Sequence, residues 1–428
     1  METVLYPSPA DYDRLCARNI PEDDPEVTAA VERIVADVGR RGDEALREYA
    51  LKFDGASPES LTVTREEMDE GISRVDSGTA SAIRAAAAQI RLFHEAQRSA
   101  PVRVESIPGV VCEQRQVPLR SVGLYIPGGR APLFSTVLML GIPAAIAGCR
   151  EVVMCTPQSG HNPIAPEILY AAREAGITTI YKVGGAQAVA AMAFGTSTVA
   201  KVDKIFGPGN RFVTKAKQLV SAVTAIDMPA GPSEVMVLAD ASAHPAFIAS
   251  DMLSQAEHGP DSQAMLVTDS PELPARVAVE IERQRRLLGR AESVERSLSR
   301  SRMIVTRTRG EAIEFANRYA AEHLIINMER PREVAMQITA AGSVFIGPYS
   351  PESAGDYASG TNHTLPTGGW ARAVSGVNLD SFMRKITYQE LSREGLAALA
   401  PVVTAMARAE GLDAHAAAVT VRLNDYGR

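Results

Sequence analysis

Cysteine is scarce in this chain of 428 residues: Cys16, Cys112, Cys149 and Cys155 make four, and no two stand in a CxxC spacing. They form no paired framework either, and a reducing, cytoplasmic setting is expected. Cys149 closes an apolar run and Cys155 ends the strand-like EVVMC, so both read as core residues rather than nucleophiles. Positive charge is in the minority, 44 Lys and Arg against 51 Asp and Glu, and a net charge of -7 argues against nucleic acid or an anionic membrane as partner. The opening METVLYPSPADYDRL lacks a basic stretch leading into an apolar one, so no signal peptide is expected. Long hydrophobic runs are also missing, with one exception at 131–149, APLFSTVLMLGIPAAIAGC; Pro132, Gly141 and Pro143 mark it as a buried helix, not a membrane span. The dinucleotide fingerprint GxGxxG does not occur.

What is present is ordinary globular composition, 46% hydrophobic and 22% charged, with length for about three domains. Residues 25–98 are helical in pattern, and His94 lies there without a companion His or Cys. From Ser121 the period changes: VGLYI, EVVMC, TTIYKV and VDKIF alternate with helical segments. SEVMVLA, AMLVT, RMIVT, HLIINM and GSVFIG then repeat the alternation. Two consecutive α/β units with mainly parallel sheets are expected, arranged as an internal duplication. After Val377 the pattern reads as helical again, a tail too short for its own core.

Seven histidines occur, and four have polar company: His258 in SQAEHG, His323 in AAEHLI, His363 in GDYASGTNHTLPT and His415 in EGLDAHAAAV. His161 and His244 sit beside proline or asparagine and read as structural. Gln255 and His258 are i and i+3 at the end of a helix stopped by Gly259-Pro260, so one face could offer an amide oxygen and an imidazole nitrogen to a metal. Asp356 could add an anionic ligand and His415 a fourth. The stretch 355–363 carries a carboxylate, three hydroxyls, an amide and an imidazole, which reads as a polar loop outside the core. Glu322 and His323 are neighbours at a strand start; a regular strand would send them to opposite faces, a strand end would let both reach one cleft, and both readings stand. Three glycine turns, YIPGG, VGGAQA and FGPGN, each follow a strand-like run and precede a helix, where α/β proteins bind ligands.

In this order, SVGLYIPGG, VGGAQAVAA, FGPGN, MPAGPSE, LSQAEHGPDSQ, AAEHL, GDYASGTNHTLPT and EGLDAHAAAV resemble the histidinol dehydrogenase family, from about residue 25 to the C-terminus. The resemblance implies oxidation of L-histidinol through L-histidinal to L-histidine, the last steps of histidine biosynthesis, with two NAD molecules. It implies two consecutive incomplete Rossmann-like units, aldehyde-dehydrogenase-like, with helical N-terminal and C-terminal extensions. The boundaries that follow are an extension at 1–24, a helical part at 25–120 packing on the second unit, a first NAD-binding unit at 121–232, a second unit with metal and catalytic residues at 233–376, and a dimerisation tail at 377–428. By the same resemblance zinc is held by Gln255, His258, Asp356 and His415; Glu322 and His323 are the acid-base pair; Tyr125, Gln187 and Asn210 contact NAD. Ser233, His363 and Glu410 join the metal ligands and His323 in binding substrate, and an intertwined homodimer would put Glu410 and His415 in the partner's site. A paralogous zinc- and NAD-dependent dehydrogenase of another amino alcohol or a sulfonated diol is the alternative within the class. A zinc hydrolase, or a metal-stapled binding protein, is the alternative outside it.

Overall fold

Short aliphatic runs close into two parallel sheets. The computed structural model describes all residues except 19–23, 56–57, 129–131, 161, 229–230, 290 and 425–428, so Gly129, His161 and part of MPAGPSE lie outside the described residues. By contacts the chain divides into two units, residues 1–97 with 119–382, and residues 98–118 with 383–428.

In the larger unit one sheet contains the strands Ser121–Tyr125, Glu151–Cys155, Thr179–Tyr181, Lys204–Phe206 and Ala225–Ile226. Counted along the chain, they lie in the order 3-2-1-4-5. The second sheet is built from Glu234–Ala239, Gln263–Thr268, Arg302–Val305, His323–Asn327 and Ser343–Ile346, and the order is the same. Glu2–Leu5 adds a sixth, parallel edge strand beside Arg302–Val305. The expected duplication is thus a repeat of topology. In such a sheet the crevice lies beyond the strand ends where the order reverses, between strands 1 and 4.

The two crevices differ. In the first sheet, Ile126 and Gly207 follow the central strands, and Gly207 takes φ +127° against the Tyr125 carbonyl, a position where any Cβ would strike that oxygen. A buried Lys217–Asp227 ion pair holds this turn from beneath, Lys217 donating to the Gly207 carbonyl at 2.9 Å and Asp227 accepting from its N–H at 2.8 Å. In the second sheet the same place is filled by Asp240, which accepts from the Glu329 N–H at 2.8 Å, from Ser242 Oγ at 2.5 Å and from Arg309 at 2.9 Å.

The helices before residue 98 differ from expectation in where they pack. Val27, Val31, Ile34 and Val38 of the helix Pro25–Arg41 share a core with Tyr125, Val153 and Val189 of the first α/β unit, not the second. The spacing of those four residues gives one apolar stripe, which periodicity reveals, but a stripe does not say which sheet it covers. His94 is fully buried on the helix Ser77–Glu95, its Nδ1 donating to the Ile90 carbonyl at 2.8 Å. The run at 131–149 contains the buried helix Phe134–Ala147, and among the described residues no helix is long and apolar enough to cross a membrane.

The smaller unit has an antiparallel sheet with Val110–Pro118 between Val102–Ile107 and Met383–Leu391, followed by the packed helices Arg393–Ala409 and Asp413–Leu423. Residues 98–118 therefore leave the helical segment expected for them, and the tail begins as a strand before it turns helical. MRKITYQEL offers Ile386, Thr387 and Tyr388 in a row, and β-branched and aromatic side chains favour a paired strand once Val110–Pro118 is available.

Candidate active site and metal centre

The helix Pro245–Ala256 ends at Glu257, and the chain tightens so that the His258 N–H reaches the Gln255 carbonyl at 3.3 Å. This turn presents Gln255 completely buried, with neither its amide oxygen nor its nitrogen bonded. A buried amide left this way costs on the order of 1–3 kcal/mol, so the position is built for a partner. Against this helix packs the short helix Glu352–Tyr357, which replaces the loop expected there and places Glu352 and Asp356 one turn apart on one face. Ligand atoms of His258, Glu352 and Asp356 all lie within 4.8 Å of one another. Nitrogen and oxygen donors so arranged, beside an unbonded buried amide, suit a divalent ion of the zinc type.

Glu322 and His323 face one site. Glu322 stands just before the strand His323–Asn327, outside its regular alternation, and its carboxylate lies 3.7 Å from His323 Nδ1. The carboxylate accepts from the Glu234 N–H at 2.8 Å. His323 Nδ1 lies 3.3 Å from the Glu234 carbonyl, which can only accept, so Nδ1 carries a hydrogen and Nε2 is left to face the site. Nε2 is buried without a hydrogen-bond partner, 3.5 Å from Asp356 Oδ1. Burial acts to lower the His323 pKa, but the charges of Glu322, Glu352 and Asp356 outweigh it and the net shift is upward. Burial raises Glu322 and Glu352 above the usual carboxylate range; it acts the same way on Asp356, where the neighbouring His323 more than offsets it.

His363 is in the same cluster, and part of its segment is core, contrary to the loop outside the core expected there. Asn362 is buried and donates to the Met139 carbonyl at 2.6 Å, which offsets the cost of removing its amide from water. His363 Nδ1 donates to the Asp356 carbonyl at 2.8 Å and Nε2 meets Thr136 Oγ1 at 3.1 Å, so it would bind a ligand only by giving up the threonine. Ser233 lines a small cavity of about 130 Å³ with Glu234, Arg18 and Trp370. Behind it Arg18 pairs with Glu234 at 2.8 Å and lies over the Tyr319 ring. His244, read as structural, caps its helix through the Ala246 N–H at 3.3 Å.

The three residues of the glycine turns converge on the first sheet's carboxyl end. The buried Tyr125 hydroxyl accepts from the Gly185 N–H at 3.1 Å. Gln187 is buried in the first turn of the helix Gly185–Phe194, and Asn210 caps the helix Arg211–Val220 through the N–H groups of Phe212 and Val213. A cleft of about 570 Å³ is lined by Asn210 and Phe212 together with His258, Gly259 and Pro260, so one residue of the glycine turns and one metal donor border the same space.

Glu410 and His415 fall in the smaller unit, Glu410 exposed at the end of the helix Arg393–Ala409 and His415 exposed on Asp413–Leu423. Sequence reasoning missed Glu352; its i, i+4 spacing to Asp356 was the available signal, hidden by reading the stretch as a loop. The cysteines are all free, and burial raises the thiols of Cys16 and Cys149 to about 11, which removes both as nucleophiles.

A family model described as histidinol dehydrogenase matches residues 18–423. The chain is 53% identical to the histidinol dehydrogenase of Photobacterium profundum over 428 residues, 99% of this chain and 96% of that protein. It is 51% identical to that of Vibrio cholerae serotype O1, covering 99% of this chain and 98% of the relative. The crystal structure of histidinol dehydrogenase from Elizabethkingia anophelis superposes with a TM-score of 0.96 at 46% identity, over 99% of this chain and 98% of the other.

Proposed function

Since the chain belongs to the histidinol dehydrogenase family, whose NAD-dependent members oxidise L-histidinol in histidine biosynthesis, we propose how its own residues carry out that reaction. Gln255, His258, Asp356 and His415 would hold a zinc ion, which would supply a Lewis-acid anchor for the substrate, and NAD would supply the hydride acceptor. His323 takes the alcohol proton on Nε2 while Nδ1–H stays on the Glu234 carbonyl, so the base is aimed before substrate arrives. Glu322, held by the Glu234 N–H, orients the water that adds to L-histidinal before the second oxidation. Ser233, His363 and Glu410 bind substrate, and the Glu410 carboxylate suits its ammonium group. Tyr125, Gln187 and Asn210 form the NAD site in the open crevice of the first sheet.

The observation that carries this reading is His323 Nε2, buried, unbonded and 3.5 Å from Asp356 of the metal group. A homodimer whose smaller unit completes the partner's site is part of the proposal. Its support is apolar surface: Val102, Val104, Val402, Met406 and Val421 of that unit are all exposed. Free cysteines fit the cytoplasmic setting. The test is the amount of NADH formed per L-histidinol consumed by zinc-loaded protein. Two equivalents support both oxidations at one site; one equivalent removes the role given to Glu322; none, with turnover of another alcohol, moves the substrate assignment elsewhere.

A further inference from the structure

The same cluster contains a carboxylate that the reaction as described does not use. Glu352 is fully buried, and neither of its oxygens has a hydrogen-bond partner. Its place is set by close packing: Gly355, three residues on, lies where a Cβ would come within 2.6 Å of the Phe345 ring, so the short helix Glu352–Tyr357 rests directly on the strand Ser343–Ile346. That seating brings Glu352 Oε1 to 3.6 Å from His323 Nδ1.

Three acceptors face that nitrogen, and they are not equivalent. The Glu234 carbonyl at 3.3 Å is neutral. The Glu322 carboxylate at 3.7 Å is already engaged by the Glu234 N–H. Glu352 is the one whose oxygens no other donor engages. On the far side of the ring, Nε2 faces Asp356 at 3.5 Å.

We propose that Glu352 is the positioning residue of His323, a buried carboxylate that fixes the ring through Nδ1–H and balances the charge the ring gains during turnover. The inference rests on His323 being the base. In the alcohol step the carbinol carbon loses a hydride to NAD and its hydroxyl proton passes to Nε2, giving aldehyde, NADH and an imidazolium. That imidazolium then has a carboxylate within a short movement of Nδ1–H, in a site where water does not compensate charge. Acting through His323 and not on the substrate, Glu352 is expected to affect kcat.

The test is a double-variant cycle on the zinc-loaded enzyme with L-histidinol. Glu352→Gln is expected to lower kcat about 10- to 100-fold, the range for residues that orient a ligand or base, with KM and bound zinc unchanged. Added to His323→Asn it is expected to cost nothing more, because it acts through the missing ring. Loss of zinc from Glu352→Gln would make it a metal ligand and overturn the proposal, as would the same fold loss on the His323→Asn background. Should Glu352→Gln not fold, Glu352→Asp keeps the charge on a shorter stem: a smaller fall in kcat with the same lack of additivity supports the proposal, and unchanged kcat overturns it. Full activity in His323→Asn alone would remove the base assignment itself, an outcome distinct from additivity in the cycle.

Discussion

At Gln255 a helix end buries an amide with both polar atoms unbonded, while His323, about as deeply buried, has its Nδ1–H satisfied by a carbonyl. The two residues therefore answer differently to removal. Gln255→Ala is expected to lower zinc per chain at limiting zinc, and activity in proportion. His323→Asn is expected to keep its zinc and lose alcohol oxidation by about 100- to 10,000-fold, the usual worth of a positioned base. Metal analysis of both purified variants separates the roles, and zinc loss in His323→Asn would make that residue a ligand. His94 gives a prediction of another kind. Burial lowers its pKa, so the folded state prefers the neutral ring while the unfolded chain takes up a proton near the ordinary value of about 6.5. Its contribution is full above that value and is lost as the pH falls from there through the lower folded pKa. Melting temperature against pH should decline on that acid limb, and less steeply in His94→Gln.

Among the elements, what could be read in the sequence depended on whether a signal was local. EVVMC and HLIINM showed as strands because three or four apolar residues stand together between turns, and both lie in the parallel sheets. The end of the helix at SQAEHGP was readable from Gly259-Pro260 in the same way. Met383–Leu391 was not, since its strand character depends on pairing with Val110–Pro118, far away in sequence. The segment around Asp356 failed for a related reason: small and polar residues look like solvated loop until Phe345 and Met139 provide surfaces that bury Gly355 and Asn362. At the site, the residues carried by the family resemblance included His258, Asp356, Glu322 and His323, which the fold brings together. Glu352 had only its i, i+4 spacing to Asp356 as a local signal, and the Arg18–Glu234 pair behind Ser233 had none, because burial gives them their place.

At the scale of the whole molecule, Glu410 and His415 lie on the smaller unit while the other proposed ligands lie on the larger one. If each site is completed by a partner subunit, chains inactivated on different units should complement one another. Mixing His323→Asn with His415→Ala chains, after unfolding and refolding together, is expected to restore up to about one quarter of wild-type activity by random pairing of chains that each supply one intact part. No recovery would place both parts of a site on one chain. The duplicated topology has a consequence of its own through Asp240, whose bonds to Glu329, Ser242 and Arg309 close the second crevice from within. If the proposed dinucleotide site is the first crevice alone, the two hydrides of one substrate have to be carried off by turns, the first carrier departing before the next can dock.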